Sequence, residues 1–410
     1  MNEVKAWVTE NIFLGLELKE YLKRLITPFN IGATIIIIIG IPLIFIRYMY
    51  GLDAVIHGSN DQPFSLFLAW GLFTGVPLAA TGYVMATAVY IFGLKEFKPL
   101  LRSAIMMGLV GYLFAVTFLL IDLGRPWRLP YPMVMSFGPA SVLFFVAWSV
   151  ALHVVLYLLE FSPAIFEWIN AKTLRSWSQL IITGVVIFVV TLSTLHQSAL
   201  GSLFLLAPNK LHPLWFSPYL PVFFFVSSIY AGLSMIILES TLVYKFLPNR
   251  VDPQNYRIIE GLTLRLGKAT SFVMFAYFFL KIIGIAQGDH WDLLFTKPYG
   301  HLFLIETIGF VLLPCFMYVT GVRTGDVRFV RLTSLVAVAG VIFNRLTVSL
   351  FALNWQLPQR QFLHLKEFMV ILTVITIEIL IYRWIINRLP VHRTHPKFTG
   401  IAENIKKERG

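Results

Sequence analysis

Long apolar runs separated by short polar interruptions set the architecture of this chain. A bilayer core is about 30 Å thick, so a helix crossing it needs roughly 20 mostly apolar residues. Runs of that length fall at 28–50, 66–92, 102–123, 139–161, 174–196, 220–246, 265–286, 299–322, 329–353 and 367–388. A membrane β-barrel would instead show shorter alternating segments. The pattern predicts an all-α integral membrane protein of about ten transmembrane helices, with both termini on one side. The domain plan is an N-terminal segment 1–27, a ten-helix membrane domain 28–388 and a tail 389–410.

Composition agrees with lipid as the main solvent. Hydrophobic residues make up 57% of the 410, charged residues 13%, and mean hydropathy is +0.75. Soluble domains carry nearer a quarter charged residues. The net charge of +12 does not indicate nucleic acid, because the basic residues are scattered between apolar segments. Anionic headgroups and membrane topology explain them better. The single cysteine, Cys315, excludes a disulfide framework and a cysteine-ligated iron–sulfur cluster in this chain. The mixed charge before residue 27, followed by a run long enough to span, predicts no cleaved leader.

Charge placement predicts orientation. Of the 33 Lys and Arg, 24 lie on the side of the termini and six on the other, leaving Arg47, Lys281 and Arg345 at membrane depth. By the positive-inside rule both termini are cytoplasmic, in a bacterial or archaeal cytoplasmic membrane. Residues 3–25 interleave charges with Val4, Trp7, Val8, Ile12, Leu16, Leu18 and Leu22, which predicts an amphipathic helix on the cytoplasmic surface. The tail from Pro390 is basic and is expected to be mobile. The outer loops 124–138 and 197–219 are rich in Pro, Trp, Phe and Tyr, suited to the interface or to a docking partner.

Ionisable residues at membrane depth are costly and therefore mark candidate functional positions. Toward the outer side the spans place Asp122, His196, Lys281, Glu306 and Arg345; toward the cytoplasmic side, His153, Glu160 and Glu239; near the middle of the last span, Glu378. Ser149, His153, Tyr157 and Glu160 follow one another at intervals of four, four and three, so they share one helix face. Such a file could pass protons, with Glu239 as an addition, while the plainer reading is a polar seam joining helices. Asp122 precedes Gly124, Arg125 and Pro126, so an Asp122–Arg125 pair tying down the helix end is the structural reading, and it is compatible with a ligand role. His196 lies in the polar stretch Ser193-Thr194-Leu195-His196-Gln197-Ser198, where an interfacial histidine bonded to a loop carbonyl is the plainer reading. Lys281, Glu306 and Arg345 are expected to neutralise one another as structural ion pairs. Haem is not expected, because His153 and His196 are assigned to different depths and bis-histidine ligation needs a matched pair. No GxxxxGK[ST], HExxH or GxGxxG with an acidic partner occurs, so nucleotide and zinc chemistry lack support.

Two stretches carry a resemblance. Leu120-Ile121-Asp122-Leu123-Gly124-Arg125-Pro126-Trp127-Arg128 is similar to the DLGRP-type motif of the polysulfide reductase membrane subunit (NrfD-like) family. Leu192 to Leu203, with Pro208, Lys210-Leu211-His212-Pro213-Leu214-Trp215 and Leu238-Glu239-Ser240, resembles its HybB-type ten-span branch. The resemblance runs from about residue 30 to 390. It implies two four-helix bundles, about 66–196 and 220–353, with outer helices beside them. It implies a haem-free quinone-binding subunit, menaquinone being the expected carrier, not catalytic alone. The implied partners are a periplasmic ferredoxin-like iron–sulfur subunit and a multihaem cytochrome c, hydrogenase or other catalytic subunit. Carried over by position, Asp122, Arg125, His196 and Gln197 would surround the quinone headgroup. Ser149, His153, Tyr157, Glu160 and Glu239 would then form a proton pathway. The alternatives are a secondary transporter, for which Pro42, Pro77 and Pro314 do not form the matched helix breaks expected of two repeats, and a purely structural membrane anchor.

Overall fold

A computed structural model describes residues 2–56, 64–251, 255–357 and 364–393, with side chains described from residue 5 onward and, in the third segment, from residue 258. Two short helices, α1 (Asn2–Asn11) and α2 (Leu18–Leu25), precede ten membrane-spanning ones. These are α3 (Pro28–Tyr50), α4 (Leu66–Ile91), α5 (Lys95–Asp122), α6 (Val142–Trp168), α7 (Lys172–Leu206), α8 (Leu220–Phe246), α9 (Ile258–Gly288), α10 (Tyr299–Thr324), α11 (Val327–Phe351) and α12 (Leu365–Arg388). The only strand-like pairing among the described residues is one bridge, Leu211 to Leu353. The chain is thus an all-α, multi-pass integral membrane protein.

The helix starts follow from local chemistry. Thr27, Ser65, Ser141 and Asp326 each turn a side-chain oxygen onto a free amide of the first turn of α3, α4, α6 and α11. Gly325, in the left-handed region at φ 70°, closes α10.

The spans pack as two four-helix rings. Neighbours run α4–α5–α6–α7 and back to α4, then α8–α9–α10–α11 and back to α8. The rings meet through α4–α8, α7–α8 and α4–α11, while α3 and α12 pair beside α5. Exchanging α4 with α8 and α7 with α11 leaves that pattern of neighbours unchanged. The central contact needs a glycine: a Cβ on Gly232 of α8 would sit 2.9 Å from the backbone of Ala80 in α4. Tyr83 on α4 also shares a 2.8 Å hydrogen bond with Ser228 on α8.

Three features depart from the hydropathy reading. The fifth span runs on to Leu206 instead of ending near 196, because its polar residues face the bundle interior: Ser193, His196 and Gln197 are wholly buried. The stretch 3–25 forms two helices, broken where Leu14 and Gly15 adopt positive φ. The first residues after α12 are not free: Leu389, Val391 and His392 are buried. Arg388 donates to the Ile12 carbonyl at 2.9 Å and to the Tyr21 hydroxyl at 2.7 Å, fixing the N-terminal segment to the end of the last span. Both ends of the described chain therefore lie on one face, called here the terminal face.

Candidate functional site

The interior of the first ring is built from α5, α6 and α7. On α6, Ser149, His153, Tyr157 and Glu160 face inward, each 3% exposed or less. His153 Nδ1 donates to the Ser149 carbonyl one turn back at 2.7 Å. A neutral imidazole then has an acceptor at Nε2, which meets the Ser193 hydroxyl of α7 at 2.8 Å. Tyr112 of α5 lies flat on the His153 ring, centroids 4.2 Å apart with 8° between planes. The Tyr112 hydroxyl reaches His196 Nδ1 at 3.4 Å, and the two imidazole centroids are 5.4 Å apart. Tyr157 fits a slot opened by Gly82 and Gly108, where any Cβ would come within 2.5 and 2.9 Å of its ring.

The depths assigned from sequence to His153 and His196 are thereby corrected. Helices α6 and α7 are antiparallel. His153 lies eleven residues, about 16 Å, from the far end of α6, and His196 lies ten residues, about 15 Å, from the end of the extended seventh helix. The two rings share one level. His196 is an interior residue and not an interfacial one.

Next to it, Gln197 donates to the Val76 carbonyl at 3.2 Å. That carbonyl is available because α4 loosens into a turn at Ala79–Ala80, just past Pro77. His196 Nε2 and Gln197 Oε1 are buried and meet no hydrogen-bonding protein atom. Buried polar atoms of this kind call for water or a ligand.

Asp122 and Arg125 do not join this cluster. Asp122 lies ten residues beyond Tyr112 on α5, about 15 Å along the axis toward the far face. It accepts a hydrogen bond from Ser65, the residue that caps α4. Arg125 is exposed. The arginine held against this helix end is Arg47, which donates to the carbonyls of Ile121 and Leu123. Glu367 of α12 completes the corner by accepting the Leu66 amide at 2.7 Å. The four residues carried over for a headgroup site thus occupy two places, a buried imidazole core and a far-face corner.

The remaining candidates also separate. Glu160 is buried with neither carboxylate oxygen bonded to protein. Glu239 stands apart from the α6 file, bonded by Tyr382 of α12 and by His392 at 3.1 Å. In the second ring, Glu306 takes hydrogen bonds from Lys281 (2.9 Å), Asn344 (2.7 Å) and Trp215 (2.8 Å). Arg345 reaches Glu306 only through Asn344, and also donates to Ser227 at 2.6 Å. Sequence reasoning did not single out Tyr112, Asn344, Glu367, Tyr382 or His392 as site residues. A lone tyrosine in an apolar run gives no signal, and periodicity within one helix cannot reveal which helix faces it.

A family profile described as "Polysulphide reductase, NrfD" matches residues 54–354. A protein of Nitratidesulfovibrio vulgaris is 42% identical over 378 residues, covering 92% of this chain and 97% of its own length. The "Probable Ni/Fe-hydrogenase 2 b-type cytochrome subunit" of Escherichia coli is 30% identical over 359 residues, covering 87% and 90%. The "Hdr-like menaquinol oxidoreductase integral membrane subunit" of Archaeoglobus fulgidus is 22% identical over 246 residues, covering 59% and 57%.

The E. coli name mentions a b-type cytochrome, and the histidine pair of this chain does not fit haem. Both nitrogens of His153 are engaged by Ser149 and Ser193, and Tyr112 covers its face. A porphyrin plane has no place between rings packed this way. No group of three or more His, Cys, Asp or Glu among the described residues is arranged to hold a metal. Two rings of four spans with a buried His–Tyr–His core, the matched profile across most of the chain, and close relatives over nearly its whole length lead to one statement: the chain belongs to the polysulphide reductase NrfD family.

Proposed function

We propose that this chain is the quinone-exchanging membrane subunit of a respiratory redox complex, passing electrons between a partner subunit at its far face and the membrane quinone pool. The observation that carries this reading is the pair of orphaned polar atoms, His196 Nε2 and Gln197 Oε1, beside the stacked Tyr112–His153 core. A quinone supplies two-electron chemistry accompanied by two protons, so its site needs a donor for carbonyl oxygen and a group that titrates near neutrality. With Tyr112 donating to its Nδ1, His196 presents an N–H at Nε2, and Gln197 presents an acceptor. Histidine is the side chain whose ordinary titration range suits proton exchange at neutral pH.

His153 holds the neighbouring ring in place through Ser193 and Tyr112. The α6 residues from Ser149 to Glu160 lead from this core toward the terminal face, and the 24-to-6 bias in Lys and Arg supports reading that face as cytoplasmic. They are read as the route by which protons arrive or leave. Asp122, with Ser65, Arg47 and Glu367, is read as the outer entrance, and Arg125 as part of the surface that meets the partner. The names of the A. fulgidus and E. coli relatives, a menaquinol oxidoreductase subunit and a hydrogenase subunit, support menaquinone and a redox partner subunit.

The test is His196→Ala. Binding of a short-chain menaquinone analogue to the purified chain should weaken about tenfold, the loss of one hydrogen bond of roughly 1–1.5 kcal/mol. Quinone-linked turnover of the assembled complex should fall with it. Wild-type affinity and turnover in this variant would overturn the reading.

A further inference from the structure

The chain does not leave the protein where α12 ends. Pro390 offers its carbonyl to Arg102 of α5 at 3.0 Å, and Leu389, Val391 and His392 are buried behind it. Arg102 is itself held by Glu167, wholly buried at the end of α6, at 2.7 Å. The segment from Leu389 to His392 therefore closes the terminal-face mouth between α5, α8 and α12. The next residue, Arg393, is exposed.

Below this plug lies Glu239, a buried carboxylate at the inner half of α8. Its Oε1 accepts from His392 Nε2 at 3.1 Å and from the Tyr382 hydroxyl, with Ser103 of α5 beside it. Other charged groups at this end are the cations Arg250, Arg388 and Arg393, together with the Arg102–Glu167 pair; the polar partners of Glu239 are His392, Tyr382 and Ser103. Of the two titratable side chains that bond Glu239 among the described residues, Tyr382 and His392, it is His392 that adjoins Arg393, the exposed residue following the plug. Chains of His and carboxylate in membrane helices are a recurring form of proton relay.

We propose that His392 loads protons onto Glu239, the tail segment Leu389–His392 acting as a plug that admits them only through its imidazole. The inference rests on the proton-coupled reading above and adds to it a second entry point, on α8, separate from the α6 file. The transfer is a simple exchange: a proton from solvent joins one imidazole nitrogen while the proton on the other passes to the Glu239 carboxylate. Nothing is oxidised or reduced.

The experiment uses the assembled complex in liposomes, reading proton uptake from the terminal-face side during quinone reduction. His392→Gln keeps a hydrogen-bond donor for Glu239 but cannot carry a proton, so uptake should slow at least about tenfold while the thermal melting temperature stays at the wild-type value. His392→Ala should slow it likewise and recover when free imidazole is added. A merely structural role predicts normal uptake in His392→Gln, and that result, with Glu239→Gln slow, would overturn the inference alone. Normal uptake in both His392→Gln and Glu239→Gln would overturn it together with any role for Glu239 in proton transfer. Should His392→Gln fail to assemble, His392→Ala that is slow and not restored by imidazole would also overturn it.

Discussion

Tyr112 and His153 lie parallel at 4.2 Å, on neighbouring helices and with the histidine wholly buried. Because the Tyr112 hydroxyl also reaches His196, one side chain sets the position of both imidazoles. Tyr112→Phe keeps the stack and removes the contact with His196. Tyr112→Leu removes both. Quinone-analogue affinity should therefore fall several-fold in Tyr112→Phe and further in Tyr112→Leu, and the His153–Ser193 pair should loosen only in the latter. Titration of the purified variants with the analogue checks the order, and equal affinities for the two would contradict it.

The second ring has a different centre of gravity. Glu306 is 1% exposed and saturated by Lys281, Asn344 and Trp215. Removing one partner of a buried pair leaves an uncompensated charge, at a cost of about 3–5 kcal/mol. Glu306→Gln or Lys281→Met alone should lower thermal stability in detergent markedly. The double change Lys281→Met with Glu306→Gln should recover much of the loss, because two neutral groups need no ion partner. An additive double mutant would rule out the direct pairing.

Outside the spans, His212 sits in an aromatic box with Trp215, Tyr299 and Trp355 and accepts the Leu214 amide at Nδ1. Burial, with His290 as a lesser cause, pushes its imidazole down to about 4. The unfolded chain binds a proton near ~6.5, so between those values it holds more protons than the folded one. Stability must then rise with pH across that window and be lost as pH falls from about 6.5 toward 4. Melting curves taken across this range should show the slope in the wild type and a shallower one in His212→Asn. An unchanged slope would assign the acid sensitivity elsewhere.

The fold was legible to the extent that lipid imposes a length on every apolar run. All ten spans overlap their hydropathy counterparts, and α3 and α8 coincide with them. The seventh helix was read short because Ser193, Thr194, His196, Gln197 and Ser198 lower local hydropathy, although a buried polar face in a bundle needs no hydropathy at all. The site was legible residue by residue but not as an assembly. The spacing on α6 put Ser149, His153, Tyr157 and Glu160 on one helix face, and the structure buries that face. It could not say that Tyr112 would cover His153, since that depends on how two helices are turned against each other. Asp122 illustrates the converse: the neighbouring Arg125 looked like its partner, yet Ser65 and Arg47, far away in sequence, hold that corner.

The grip of Arg388 on the Ile12 carbonyl joins residues 376 positions apart, and α3 has α12 as its chief neighbour. During synthesis at about 5–20 residues per second, the first span and the helices before it wait some 20–75 s for that partner to be made. Through that interval α3 can rest on α5, through Arg47, but lacks its chief partner. A chain stopped short of the last span would leave the N-terminal segment without the Arg388 contacts that fasten it.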